Sequence, residues 1–595
     1  MVNTLSELLV NTLKSYPKPD FLLVKKQGIY TPISTAAFGD AIRFLCLGLR
    51  TLGLSKGDKL IILSENRPEW TITDFACLCG GGITVPIYTT LMPEQVKYIV
   101  NDSDAKIVVY SGLDQWKKLE AIKDDLPQVK HFISFESAAP PGVLTYRDVQ
   151  SQGETISKAQ PELFERLVQA VKPEDDASII YTSGTTGMPK GVILSHSNFI
   201  SNVKTAAEIL EFTIKDTVLS FLPLSHVLER MVTFAYTYKG CSIAYAESVE
   251  TVAANLLEVR PHIMVGVPRV FEKIYSKVMD NVLMSSGLKR KIFFWAAKVG
   301  KTYGARKLGA RRIGGFLKFK RNLAHKLVFS KIVEKTGGRI RFFVSGGAPL
   351  SKDIAEFFYA MGLVILEGYG LTETSPVISV NLLENPRFGT VGRPIPGVEV
   401  KIARDGEILT RGPHVMKGYY KKEAETRETF DGDWLKTGDI GRFDEDGFLL
   451  ITDRKKDLIV TAGGKNVAPQ PIENTLKTNP YIENAVVIGD RRRFISALIV
   501  PKFDKIEEYA KSGNISYSGR KDLVRNEKVV NFLKSEVDRA TPNLASFERI
   551  KKIAVLDRDF EMDEGEVTPS LKVKRNVVEK KYRELIDALY KEENG

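Results

Sequence analysis

Four cysteines in 595 residues, Cys46, Cys77, Cys79 and Cys241, are too few for a disulfide framework. Cys77 and Cys79 stand as C-x-C, a spacing that fits neither the usual zinc pairs nor a C-x-x-C redox motif. All four read as small buried hydrophobes. No run approaches the ~18 consecutive apolar residues that a membrane-spanning helix needs. The start of the chain, MVNTLSELLVNTLKSYPKPD, has no basic stretch followed by an apolar core, so no signal peptide is expected. No segment of roughly 20–50 residues repeats, which excludes solenoids and propellers. Together these absences predict a soluble, reduced, cytoplasmic protein.

Acidic residues are missing from one place. Between Lys289 and Val333 there are 14 lysines and arginines and no aspartate or glutamate. That local +14 exceeds the +12 of the whole chain and leaves the remainder at −2. A nucleic-acid binder would spread or repeat its basic charge, so no nucleic-acid partner is expected. Phe293, Phe294, Trp295, Phe316, Phe319 and Phe329 are interleaved with the cations. Three readings fit: a solvated helical face, a docking surface for an acidic protein, or one for anionic lipid headgroups that holds the protein peripherally at a membrane.

What is present is ordinary globular material, 43% hydrophobic and 27% charged. Short β-branched or aromatic runs such as KLIILSE, AKIVVYS, ASIIYTS, PHIMVGV, RIRFFVSGG and GLVILEGYG run into Gly, Ser or Pro, as buried parallel strands do. Helical segments such as MPEQVKYIVND and SKDIAEFFYAM alternate with them. That is an α/β architecture with ligand sites expected at strand ends. From about residue 395 the texture changes to hairpins turning at Asp405-Gly406 and Asp446-Gly447. A proline-started helix in APQPIENTLKTNP, a strand pair in ENAVVIGDRRRFISALIVP and a final helix follow. That helix carries Val577, Val578, Tyr582, Leu585, Ile586 and Leu589 on one face. The expected division is a large α/β domain over 1–452, an exposed charged hinge over 453–457 and a small α+β domain over 458–595.

The strongest chemical signal is Tyr181-Thr-Ser-Gly-Thr-Thr-Gly-Met-Pro-Lys-Gly191, directly after a strand. Small hydroxyl and glycine residues let backbone N–H groups wrap a polyphosphate, and Lys190 adds a point charge. Pro189 and Gly191 flank that lysine, so the loop is not a Walker loop. Further segments follow in order: Phe221-Leu-Pro-Leu-Ser-His226, Glu367-Gly-Tyr-Gly-Leu-Thr-Glu373, Trp434-Leu-Lys-Thr-Gly-Asp439, Asp453-Arg454 and Thr568-Pro-Ser-Leu-Lys572.

This set resembles the adenylate-forming superfamily, which includes acyl-CoA synthetases and peptide-synthetase adenylation domains. The resemblance implies parallel-rich sheets and a distorted barrel in the large domain, and a mobile small domain. It implies ATP, Mg²⁺ and the substrate coenzyme A. Phosphates would lie against Thr182, Ser183, Gly184, Thr185, Thr186, Gly187 and Lys190, with Thr185 and Glu373 on the metal side. Adenine would lie at Tyr369 beside Gly346, Gly347, Gly370 and Thr372, and ribose at Asp439 and Arg454. Asp453 would be the hinge residue. Lys572 would bridge the acyl carboxylate and α-phosphate, with Leu571 replacing the family's usual glycine. Bland alternatives stand beside some of these: a core tyrosine for Tyr369, an Asx-turn for Asp439 and a structural role for His226.

Leu224-Ser-His226-Val-Leu-Glu-Arg230 and Val267-Pro-Arg-Val-Phe-Glu-Lys-Ile274 resemble the long-chain fatty acyl-CoA synthetase branch. That places His226, Val267, Pro268 and Arg269 near the acyl site, with His226 catalytic as a gate or positioner. The expected activity is ATP-dependent conversion of long-chain fatty acids to acyl-CoA. Two alternatives remain: an acyl-acyl carrier protein ligase whose basic segment receives the carrier, and a non-catalytic lipid-binding protein on the same fold.

Overall fold

The computed structural model describes residues 2–182, 188–562, 564–568 and 573–591. Two large sheets build the first 380 or so residues. One has eight strands, with Asp176–Thr182, Ile83–Ile87, Lys59–Leu63, Ala105–Tyr110, His131–Ser134 and Leu144–Thr145 side by side and parallel. The other has nine, its centre made of the parallel strands Ser242–Tyr245, Thr217–Ser220, Ile263–Gly266, Phe342–Ser345 and Ile365–Gly370. The six runs expected from the sequence are among them, as Lys59–Leu63, Ala105–Tyr110, Asp176–Thr182, Ile263–Gly266, Phe342–Ser345 and Ile365–Gly370. They are buried on both faces, which is why they lack polar alternation.

A five-stranded antiparallel sheet follows and forms a half-barrel. Its hairpins Glu399–Ile402/Glu407–Arg411 and Trp434–Phe443/Leu449–Arg454 turn where expected, with Gly406 and Gly447 at positive φ. The chain then builds a three-stranded sheet of Ile482–Ile488, Ile495–Pro501 and Ile550–Val555 with the helices Pro469–Leu476, Phe503–Ser512 and Glu527–Ala540. The apolar core of this part starts at Ile459 and shares no residue with the core of the large sheets.

Two expectations need correction. The last helix is two, Arg575–Lys581 and Arg583–Tyr590, separated at Tyr582. Val578 and Ile586 are buried while Val577 and Leu585 are exposed. Asp453 does not sit in an exposed stretch. It is buried at the end of a strand and accepts hydrogen bonds from its neighbour Arg454 N (2.6 Å) and from Gln470 N (3.4 Å), in the first turn of the helix Pro469–Leu476. Burial raises its carboxyl to about 6.

One buried ion pair joins three elements of the large domain. Arg230, fully buried, donates from Nε to Asp74 Oδ2 at 2.7 Å, and its other nitrogens reach Asp74 Oδ1 and Ser178 Oγ. It thereby ties the helix Val227–Tyr238 to the helix Pro68–Cys79 and to the strand that leads into the Ser/Thr/Gly loop. All four cysteines are free and buried.

Candidate active site

The C-terminal ends of the parallel strands open onto a cavity of about 860 Å³. Strand ends at Ile180–Thr182, Val265, Val344 and Gly368–Gly370 reach it, joined by the half-barrel at Leu435–Gly438 and Arg454. Ligand sites of open α/β sheets lie at such ends.

One half of the cavity is polar. Tyr369, on the strand Ile365–Gly370, donates from its hydroxyl to Asp439 Oδ2 at 2.7 Å. Arg454 Nε lies 3.1 Å from Asp439 Oδ1, the two residues being paired across their hairpin. Burial, reinforced by Asp439, pushes the Tyr369 hydroxyl well above its ordinary value and keeps it a donor. Asp439 is therefore oriented from two sides. Gly346 and Gly347 flank this half, and Gly347 adopts φ +80°, a conformation that favours glycine. Gly370 is glycine for another reason: a Cβ there would lie 1.7 Å from the Pro376 carbonyl oxygen. Thr372, Glu373, Thr182 and Lys190 complete the polar wall.

The other half is apolar, formed by Leu210, Val227, Met231, Val232, Val265 and Val344. His226 stands with these residues on the cavity wall, at the N-cap of Val227–Tyr238. Its Nδ1 accepts from Leu228 N at 3.1 Å, which leaves the proton on Nε2. Burial brings its imidazole down to about 4, so the ring is neutral at physiological pH.

The other expected residues fall in two groups. Ser183, Gly184, Thr185, Thr186, Gly187 and Lys572 lie outside the described residues. The segments on either side of Lys572 do border the cavity, through Thr568 and through Val573, Lys574 and Arg575. Val267, Pro268 and Arg269 are not on the cavity wall. They border a separate pocket of about 90 Å³ with Asp453, Gln470, Glu473 and Arg575. There Arg269 donates to the carbonyl oxygen of Glu483 at 3.1 Å and to its carboxylate. Its guanidinium also lies 3.6 Å from Asp559.

The comparisons with known proteins agree with this geometry. The family described as AMP-binding enzyme matches residues 15–420. The AMP-binding enzyme C-terminal domain matches residues 456–594. The chain belongs to the AMP-binding enzymes. Among relatives of this AMP-binding enzyme, the long-chain-fatty-acid–CoA ligase FadD15 of Mycobacterium bovis is 37% identical over 97% of this chain and 95% of its own. The long-chain-fatty-acid–CoA ligase ACSBG2 of Xenopus laevis is 32% identical over 99% of this chain and 84% of its own. A solved anthranilate CoA ligase in complex with anthranoyl-AMP has the same fold, with a TM-score of 0.75 at 20% identity over 98% of both chains.

Sequence reading passed over several polar wall residues of this AMP-binding enzyme, Tyr419, Thr437 and Asn576 among them. Tyr419 is on the cavity wall, and its hydroxyl donates to Glu373 Oε1 at 2.9 Å. It belongs to a strand of two residues, Gly418–Tyr419, too short for any periodicity to register. The Gly-Tyr-Tyr triplet before an acidic helix is its only local mark.

Proposed function

We propose that the chain is a long-chain fatty acid–CoA ligase working through an acyl-adenylate. The observation that carries this reading is a single cavity with a polar and an apolar half and His226 on its wall. Relatives named long-chain-fatty-acid–CoA ligases, matched over nearly the whole chain, support the same reading. In the first step a carboxylate oxygen of the fatty acid bonds to the α-phosphorus of ATP as the bond to pyrophosphate breaks. In the second the CoA sulfur, its proton passing to solvent, bonds to the acyl carbon and AMP leaves.

In this assignment Tyr369, Gly346, Gly347, Gly370 and Thr372 hold adenine, and Asp439 and Arg454 hold the ribose. Thr182, Ser183, Gly184, Thr185, Thr186, Gly187 and Lys190 hold the phosphates. His226 donates from Nε2 toward the acyl carboxyl group, and Lys572 bridges the two reacting anions. Thr185 and Glu373 form the metal side. Among the described residues no three His, Cys, Asp or Glu side chains converge on a point. Mg²⁺ is usually held by one or two carboxylates plus substrate phosphates, so Glu373 on the wall fits it. When bound it would neutralise phosphate charge.

The proposed domain scheme is a body over 1–452, a hinge over 453–457 centred on Asp453, and a mobile domain over 458–595. Lys455 bonds to Asp405 (2.6 Å) and Glu407 (2.8 Å) of the half-barrel, contacts that rotation about Asp453 would break. The proposed partner of segment 289–333 is an anionic membrane surface, which would make the protein peripheral. An acyl carrier protein is the competing occupant.

The test supplies ATP and a long-chain fatty acid with either CoA or a carrier protein bearing its free thiol arm, and measures AMP and thioester. Thioester with CoA alone is expected. Thioester with carrier protein alone would replace this reading with the ligase alternative. No AMP release with either acceptor would refute catalysis altogether.

A further inference from the structure

Tyr419 joins two groups that come from distant parts of the chain. Its hydroxyl donates to Glu373 Oε1 at 2.9 Å, and the ammonium of Lys190 lies 5.1 Å from the centre of its ring. Lys190 begins the strand that leaves the Ser/Thr/Gly loop, and Glu373 is in the turn after the strand carrying Tyr369. One aromatic side chain therefore touches the cation and the carboxylate of the polar wall.

The ring is itself fixed. Gly418–Tyr419 pairs antiparallel with Lys190–Ser195, with Tyr419 opposite Val192. Tyr419 N donates to Thr426 Oγ1 at 2.9 Å, and Tyr420 N donates to the Gly191 carbonyl at 2.7 Å. Met416 N donates to the Glu373 carbonyl at 2.9 Å, so the segment also holds that residue's backbone. Gly418 permits this, because a Cβ there would meet Thr426 Cγ2 at 2.7 Å.

We propose that Tyr419 is a positioning residue: its hydroxyl sets the Glu373 carboxylate for a nucleotide-bound divalent cation, and its ring sets Lys190 for the phosphates. The proposal rests on reading the polar half of the cavity as the nucleotide site. A hydroxyl bonded to one carboxylate oxygen limits the carboxylate's rotation and directs the remaining lone pairs, as groups behind metal ligands do. A cation beside an aromatic face is held without losing its charge. The two contacts divide the work, and different substitutions separate them.

Tyr419→Phe removes the hydroxyl and keeps the ring; Tyr419→Leu removes both. Tyr420→Phe is the control, since the neighbouring hydroxyl donates to Asp104 (2.9 Å) and Tyr420 is not on the cavity wall. The probe is α,β-methylene-ATP, whose bridge adenylation does not cleave. Its binding is measured calorimetrically with Mg²⁺ and with EDTA, next to thermal unfolding of each variant. Tyr419→Phe is expected to weaken binding about 10-fold in Mg²⁺ and to leave binding in EDTA unchanged. Tyr419→Leu is expected to add a loss of about 3-fold in EDTA. Equal losses in both conditions for Tyr419→Phe, or the same pattern in Tyr420→Phe, would reduce Tyr419 to a structural residue. Wild-type affinity in Tyr419→Phe would also overturn the proposal, while leaving the nucleotide site intact. Wild-type protein that binds no analogue in Mg²⁺ would overturn both the proposal and the site on which it rests.

Discussion

His226 shows what a motif residue does once its surroundings are known. With its imidazole brought down to about 4 by burial, it stays neutral and does not titrate between pH 5 and 8. The contribution proposed for it in adenylation is a donated hydrogen bond, so His226→Gln should keep single-turnover adenylate formation within about 10-fold of wild type, while His226→Leu should lose roughly 100-fold. Equal damage by both would favour a proton-transfer role. Glu229, one turn along the same helix, is buried and hydrogen-bonded to Ser220, and burial raises its carboxyl to about 8. Between the ordinary 4.5 and 8 the folded protein keeps the proton that the unfolded chain has lost, so this group lowers stability as pH rises. Glu229→Gln should therefore stabilise more at pH 8 than at pH 5, by on the order of 1 kcal/mol per pH unit. Unfolding midpoints of the pair at both pH values check it. The histidine was legible in the sequence because its motif is; the neutral carboxyl was not, because its state depends on a shell of residues contributed by other elements.

At the scale of elements, strands were the legible part. Runs such as AKIVVYS and ASIIYTS need two apolar faces, and a sheet covered on both sides supplies them. The hairpin turns were equally plain, because Asp-Gly marks a positive-φ position. What remained hidden were contacts between segments far apart in the chain. Arg269, expected near the acyl group, stands in the first turn of the helix Pro268–Leu283 and reaches across to Glu483 and Asp559 of the small domain. Lys502 Nζ reaches Ser276 Oγ of the same helix at 2.9 Å. One helix of the body thus carries both contacts. Arg269→Ala should loosen the small domain by on the order of 1 kcal/mol, since the pair is only partly buried. The expected readout is cleavage within the turn 455–458 that is roughly 3–10-fold faster in limited proteolysis. Unchanged cleavage with intact folding would mean that Arg269 does not hold this arrangement.

At the scale of the whole molecule the charge distribution matters more than its total. The basic segment folds as the helices Gly287–Leu308, Gly315–Ala324 and Ser330–Lys335 with a π turn between the last two. Its aromatics divide: Phe293 and Phe329 are buried in the main core, whereas Phe316 and Phe319 are 72% and 64% exposed. Met284 and Leu288, just before the segment, are each 70% exposed. No helix among the described residues is long and apolar enough to cross a membrane. Cations mixed with exposed rings are the composition that binds at a lipid interface. Each lysine or arginine near an anionic leaflet contributes about 1 kcal/mol, so four engaged residues give roughly a thousandfold preference. Such binding is reversible and weakens with salt, because screening acts over about 8 Å at physiological ionic strength. Changing Lys289, Arg290, Lys291, Arg311 and Arg312 to Glu should abolish sedimentation with anionic liposomes and leave activity on detergent-dispersed fatty acid near wild type. Unchanged sedimentation would reject the lipid surface. A loss confined to acylation of carrier protein would assign the segment to that partner, and a loss of activity on dispersed substrate would show that these helices support the catalytic body itself.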